Sequence, residues 1–572
     1  MPSRLGRIRR RLDPGGQRSQ AFQVSSSEGQ PIRFAAPWGG YTPDLSSAIA
    51  APTDAHALQG FLPLSGGMYP ATGFAQLDSD SLPLASSEPV VGVPFVYDTL
   101  VSPIVLRRYA ITADATLGNL YELGADWTNI PYTGAGAGFS GDTTGAGVAQ
   151  TLCDSAYYAL GNFLILTNGY DAVYQHVPGG ANYTDFSPAV LNTFKAKSVC
   201  SAFERIFFLN TSEAGTGFPN RLRGTTRSAT PSLSGLGSVL LSFDEIQADG
   251  VACRKLGSSM AVYFRRGVAF CRETGNITVP VVRDYVSLER GLVGTLAVCD
   301  LGSGVHFGIF NDGWFLLDDN GRFTEVGLRE IEGSAHSKWR QTFYRELNSE
   351  AINRVSVAFD RPRRLVWILW PDEGSSHPNR LWAYHLDTDS VWPLDNIFAD
   401  YPNVLGQTVS TTETTSYATI TTTYEGTSRS YADFDQKQGE ELIVAGSRTG
   451  MVYTQSPRIV TVNGTLPAYQ WKSPRGPLGN PSQLHTLERL DVAYVQQTGA
   501  TGISVSFETE YDSVTNVLAQ KQDDAGTLGV GYVHGKSTGG THALELSGTH
   551  PLALTELQAH LKVSNAKTRK LR

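Results

Sequence analysis

Residues 363–393 read RRLVWILWPDEGSSHPNRLWAYHLDTDSVWP and hold four of the chain's nine tryptophans. Side chains alternate sides along an extended strand, so Leu365, Trp367 and Leu369 share one face while Val366, Ile368 and Trp370 share the other. Both faces are apolar. A run of six closed by Pro371 and the turn-rich DEGSSHPN therefore predicts a strand packed between two layers, not one at a surface. The run LWAYHL (381–386) returns beside it, and the turn DTDS leads to Trp392. A buried antiparallel hairpin is expected.

The same pattern, strand, turn and strand, recurs in NFLILTNGYDAVYQH (162–176), SMAVYFRRGVAFCRE (259–273), HFGIFNDGWFLLDDN (306–320) and ELIVAGSRTGMVYTQ (441–455). Weaker copies lie at 204–209 and 109–123. The turns Asn168-Gly169, Arg266-Gly267, Asp312-Gly313 and Thr449-Gly450 contain glycine, which supplies the positive φ of a two-residue hairpin turn. Hairpins beginning near 162, 204, 259, 306, 363 and 441 are 42, 55, 47, 57 and 78 residues apart. A four-stranded propeller blade takes roughly 40–50 residues, so the longer steps imply insertions. No WD dipeptide, kelch signature or Ser-x-Asp-x-Gly box is present. The fold expected is an all-β, irregular β-propeller of about five to seven blades, with an array of β-sandwiches as the competing geometry.

Composition agrees with strands and turns. Of 572 residues, 17% are charged, while Gly and Pro number 59 and 29. The net charge of −8 argues against a protein that coats nucleic acid with a basic surface. It leaves open a smooth channel through which DNA slides. Cys153, Cys200, Cys253, Cys271 and Cys299 form no CxxC pair and read as buried thiols. The basic start MPSRLGRIRRRLDPGG is not followed by the apolar segment of a signal peptide, and no run reaches the length of a membrane helix. A chain made in a cytoplasm, with no membrane segment, is expected.

Three regions fall outside the rhythm. Residues 1–100 are Pro-rich and read as an irregular arm. Within the propeller (101–455), an almost uncharged Thr-rich stretch, TVSTTETTSYATITTTYEGTSRS (408–430), predicts an insertion at about 400–435. Residues 456–572 alternate as strands and predict a separate C-terminal β-sandwich or platform domain. Residues 337–347 are the best short helix.

Catalytic and cofactor motifs fail on inspection. Gly136–Gly141 matches GxGxxG but lacks the flanking strand and helix of a dinucleotide site. Gly531–Ser537 resembles a phosphate loop one residue too short. The eleven histidines show no metal spacing, and no GxSxG elbow occurs. Asp387 and Asp389, in LDTDS, are attractive as a glycosidase acid pair, but such neighbouring acids more often shape an Asx turn. No catalytic residue, metal site or cofactor is expected. Arg7, Arg9, Arg10 and Arg11, with Arg4 and a C-terminal group of Lys567, Arg569, Lys570 and Arg572, form basic ends that are either solvated or contacts to an acidic surface.

WGGYTPDL (38–45) followed by LPLSGGMYPATGF (62–74) resembles the N-terminal segment of the nozzle, or tail-hub, proteins of short-tailed bacteriophages. The succession LTNGYDAVYQH, ERIFFLNTSEAGTGFPNRLRGTT (204–226), SMAVYFRRGVAFCRE and the strand holding GSRTGMVYTQ is similar to that family's propeller. The likeness spans most of 38–455. It implies a virion protein of the phage tail that forms a homohexamer beneath the portal, docks to tail adaptor proteins, meets tail fibres or spikes, and conducts double-stranded DNA without reading it. It also implies that Arg7, Arg9, Arg10 and Arg11 are candidate adaptor or neighbour contacts. Thr411, Thr412, Thr414, Tyr417, Thr421, Thr423 and Tyr424 become candidates for a gate or tip loop. This sequence has no recognisable long tip domain, and no catalytic residue carries over. A host-recognition or polysaccharide-degrading tail protein, and a cellular propeller scaffold, are the competing readings.

Overall fold

In the computed structural model of the chain, the strand Leu365–Trp370 is buried at all six positions, and its two faces enter different cores. Leu365, Trp367 and Leu369 join Ile443, Tyr453 and Trp471, whereas Val366, Ile368 and Trp370 join Trp314, Trp339 and Phe343. The strand lies between Ser356–Asp360 and Arg380–His385, and Ser390–Pro393 follows as the next strand outward. The structure describes residues 32–563 outside a set of stretches, the longest being 78–87, 140–151, 187–193, 410–440, 456–467, 477–483, 496–501 and 520–527.

Seven antiparallel sheets of this kind follow one another among the described residues, at 90–130, 154–185, 195–242, 250–287, 298–325, 356–393 and 402–455. Their first strands lie innermost and pack on one another. The strand Pro402–Val409 returns onto Val90–Gly92, and Val404, Val444 and Val452 of the last sheet share a core with Val90, Val93 and Ala110 of the first. The ring closes as a seven-bladed β-propeller. The recurring hairpins read from the sequence are the second and third strands of blades 2 to 7, and 109–123 supplies the same pair in blade 1. These central strands contact a neighbouring blade on each face, which is why they are apolar on both.

Several turns differ from the expected two-residue form. Gly169 and Gly450 do take left-handed φ, at 82° and 81°, but in longer connections that Asn168 and Ser447 side chains organise. Asp312-Gly313 also sits in a longer connection, between Val305–Ile309 and Trp314–Asp318. The two-residue turn Phe203-Glu204, between Lys195–Ala202 and Arg205–Glu213, has positive φ at two non-glycine residues, 51° and 55°. The hairpin read weakly at 204–209 turns further on, at Ala214-Gly215.

The first hundred residues correct the expectation of an irregular arm. Ile32–Ala35 pairs with Ala553–Val563, Gly40–Tyr41 with Ser390–Pro393, Ala57–Gln59 with Tyr469–Lys472, and Phe61–Leu64 with Gly67–Pro70 beside Ala553–Val563. Phe74–Gln76 then pairs with Val452–Gln455 and becomes the outermost strand of blade 7. Two- to four-residue strands are too short to show a period, so they read as loop.

The C-terminal residues form two facing sheets, but not a separate domain built from 456–572 alone. One sheet runs through Leu528–Gly539, His485–Val495 and Ala553–Val563, and the other through Tyr469–Lys472, His542–Gly548, Gly502–Thr509 and Ser513–Ala519. N-terminal strands complete both. Gly535 packs against the Phe507 ring so closely that any β-carbon there would collide at 2.3 Å. Trp471, Leu487, Phe507 and Leu557 belong to the same core as Trp367. The α-helix among the described residues is Arg340–Glu346, within the expected 337–347, and its first-turn amides at Gln341 and Thr342 donate to Asp44 at 2.7 and 3.0 Å.

Candidate functional site at the propeller axis

Each innermost strand presents side chains to the axis, and three of them place polar residues there. Asp154 comes from blade 2, Ser198 from blade 3 and Arg254 from blade 4. The Arg254 fork donates to both oxygens of Asp154, at 2.9 Å each. Asp154 also accepts from Ser198 Oγ at 2.6 Å and the Val199 amide at 3.0 Å. Arg254 additionally donates to the Cys253 and Thr295 carbonyls, at 2.8 and 3.0 Å. Burial opposes the charge on Arg254, yet the Asp154 carboxylate more than offsets it and holds the guanidinium above its ordinary basicity. The pair crosses from blade 4 to blade 2, past Ser198 on the first strand of blade 3.

Beside this bridge lies a cavity of about 300 Å³, lined by Phe95, Tyr157, Val298, Asp300, Val357 and Gln407 along with Asp154 and Arg254. Between blades 4 and 5, His306 lies 2.9 Å from the Lys255 carbonyl and 2.8 Å from the Tyr263 hydroxyl. A carbonyl only accepts, so Nε2 carries the proton and Nδ1 accepts from Tyr263. Burial pushes the His306 pKa down to about 4 and keeps the ring neutral. The bridge is thus saturated by protein partners, and what it can do is brace blades 2, 3 and 4 against one another.

Neither Asp387 nor Asp389 faces the other as an acid pair. Asp387 is held by Arg364, whose Nε lies 2.9 Å away, while Asp389 accepts from Lys338 Nζ at 2.7 Å and Tyr384 Oη at 3.0 Å. Residues 531–537 lie inside the strand Leu528–Gly539, where ladder bonds take the backbone that a phosphate loop would offer. Gly138 precedes Phe139, which is packed among Tyr174 and Tyr183 in the core between blades 1 and 2. Four of the five cysteines are buried and Cys299 is partly so, and burial raises the thiols of Cys153, Cys253, Cys271 and Cys299. Among the described residues, no group of three His, Cys, Asp or Glu side chains is placed to hold a metal. No helix there is long and apolar enough to cross a membrane.

Arg7, Arg9, Arg10 and Arg11 lie outside the described residues, as do Thr411, Thr412, Thr414, Tyr417, Thr421, Thr423 and Tyr424. The base of the Thr-rich stretch is defined: Val409 pairs with Glu441 and Thr408 with Leu442, so 410–440 leaves and re-enters blade 7 at one point. The axial trio was missed in the sequence. Its only signal was a polar residue on the first strand of three successive repeats, in DSAYY, KAKSVCSA and GVACRKL.

The strand order and closure define the chain as an all-β propeller protein with an appended two-sheet unit. No family model matches it, and neither does any curated protein. Among solved structures, it is similar to the extracellular domain of a putative hybrid two-component system from B. thetaiotaomicron, at 9% identity and a TM-score of 0.36. That match covers 77% of this chain, which spans 47% of the other. An exo-β-1,3-galactanase from Phanerochaete chrysosporium is also 9% identical, with 86% and 100% covered and a TM-score of 0.25. The β-propeller domain of Cps50 (Swd1) from Myceliophteria thermophila is again 9% identical, with 67% and 100% covered and a TM-score of 0.34.

Proposed function

We propose that this chain is the nozzle, or tail-hub, protein of a short-tailed bacteriophage. In this reading it is a non-enzymatic virion component, made in the host cytoplasm, whose six copies ring the tail channel below the adaptor proteins. It retains genomic double-stranded DNA and then conducts it during ejection, needs no cofactor, and meets fibres or spikes at its outside. The observation that carries the reading is where the family-like segments lie. WGGYTPDL and LPLSGGMYPATGF are the stretches that stitch the two-sheet unit to blades 6 and 7: Trp38 packs on Trp471 at 5.7 Å, Tyr41 pairs with Val391, and Phe74 ends the segment as the first residue of the closing strand.

In this reading the conduit lies between copies and not along the axis of one propeller, where Arg254 and Asp154 bridge blades 4 and 2. The Thr-rich stretch 408–430, which leaves blade 7 at Val409, is the gate or tip in this scheme, and Arg7, Arg9, Arg10 and Arg11 are the adaptor or neighbour contacts. A polysaccharide-degrading role gains nothing from Asp387 and Asp389, each held by its own cation.

The deciding experiment is quantitative mass spectrometry of purified virions, counting this chain against the portal protein. A copy number near half that of the portal is expected. Absence from the particle, or a number in multiples of three matching trimeric spikes, would replace the nozzle with the recognition or scaffold reading.

A further inference from the structure

Arg354 closes the 3-10 turn Ile352–Arg354 before the first strand of blade 6, and its side chain is fully buried. A guanidinium stays charged inside a protein, so its five N–H groups need acceptors and its charge needs a partner. Nη1 reaches His377 Nδ1 and, at 3.4 Å, Asn403 Oδ1. Nε and Nη2 have no hydrogen-bond partner at all. These two groups lie on one edge of the guanidinium, as the parallel donors that grip a single anion.

Arg448, in the connection between the second and third strands of blade 7, acts on both Arg354 and His377 as a like charge. His377 Nδ1 accepts from Arg354, so the imidazole is neutral; burial first, then Arg354 and Arg448, push its pKa down to about 4. The Asn403 amide is spent on the Val90 carbonyl at 2.8 Å. No described carboxylate makes an ion pair with Arg354, although Arg205, the other buried arginine among the described residues, pairs with Glu273.

We propose that Arg354, with Arg448 and His377 beside it, forms a buried site for a small monovalent anion of the size and charge of chloride, at the joint between blades 6 and 7. A halide suits a site with no exposure, because it accepts from several donors without the fixed geometry or second charge of a phosphate. The bound ion completes the unpartnered Nε–Nη2 edge of the guanidinium and offsets its charge. It lies at the end of blade 7 opposite to Val409 and Glu441, where 410–440 is rooted, and so braces the blade whose other end carries that stretch. The site does not depend on the nozzle reading.

The test is thermal unfolding of the full-length protein in sodium chloride and in sodium gluconate at equal ionic strength, for the wild type and Arg354→Met. A ligand bound only by the folded state raises the midpoint with its concentration. The wild-type midpoint should rise with chloride and stay flat in gluconate, and R354M should lose the difference. Equal midpoints in both salts, or a chloride effect unchanged in R354M, would overturn the site. Should R354M fail to fold, bromide-soaked crystals of the wild type decide instead. An anomalous peak at the Nε–Nη2 edge supports the proposal, and density there from a protein carboxylate, or none, ends it.

Discussion

Trp367 meets Phe74 edge-on at 5.8 Å and is fully buried, so it ties blade 6 to the strand that closes blade 7. Trp367→Ala should lower stability by about 3–5 kcal/mol through lost burial and the cavity left behind. A denaturant midpoint like that of the wild type would contradict its place in the core. Asp154 works by charge. Asp154→Ala strands Arg254, and a loss of about 3 kcal/mol is expected, near the low end for breaking a buried pair because the Arg254 side chain keeps 22% of its exposure toward the cavity. The double variant Asp154→Ala/Arg254→Met should recover part of that loss in the same assay. His306 sets a pH limit. Its folded pKa of about 4 lies below the usual 6.5, so the unfolded chain binds the proton first. The stability it contributes is complete above pH 6.5 and falls away between 6.5 and 4, by about 3 kcal/mol in all. Stability measured against pH should fall less steeply across that window in His306→Gln, and an unchanged slope would exclude His306 as the cause.

At the scale of elements, the two-sided apolar hairpins were legible because strand alternation and turn chemistry are local. Each sits in the middle of a blade, and long steps between them proved to be insertions: the hairpin, helix and 3-10 turn of 328–354 before blade 6, and 410–440 inside blade 7. The short N-terminal strands were illegible for the opposite reason. Ala57–Gln59 becomes a strand only because Tyr469–Lys472, more than four hundred residues later, offers it a ladder. Two deletions separate these cases. Replacing 410–440 with a short Gly-containing turn should leave the melting transition within a few degrees of wild type, because Val409 and Glu441 are already paired and a shorter loop costs less closure entropy. Removing residues 1–77 should abolish the cooperative transition, since it takes the outer strand of blade 7 and strands from both C-terminal sheets. Circular dichroism melts of the two variants check both outcomes, and a cooperative melt after the second deletion would show that the N-terminal strands are dispensable.

For the whole molecule, the sequence by itself determined an all-β chain with repeated hairpins, several insertions and no recognisable catalytic motif. These follow from the order of apolar and turn residues within windows of a dozen positions, which local physics can read. Tertiary structure alone decided the rest. Seven blades close because Val90–Gly92 meets Pro402–Val409 and because Phe74–Gln76 supplies the strand that 402–455 lacks. The C-terminal sheets share a core with blade 6 because the strands between Ile32 and Pro70 run through both. Asp154 meets Arg254, and Arg354 meets Asn403 and His377, across 100, 49 and 23 positions of chain. No local pattern marks such partners, since a charged residue on a strand reads as solvent-facing until closure of the ring takes its water away.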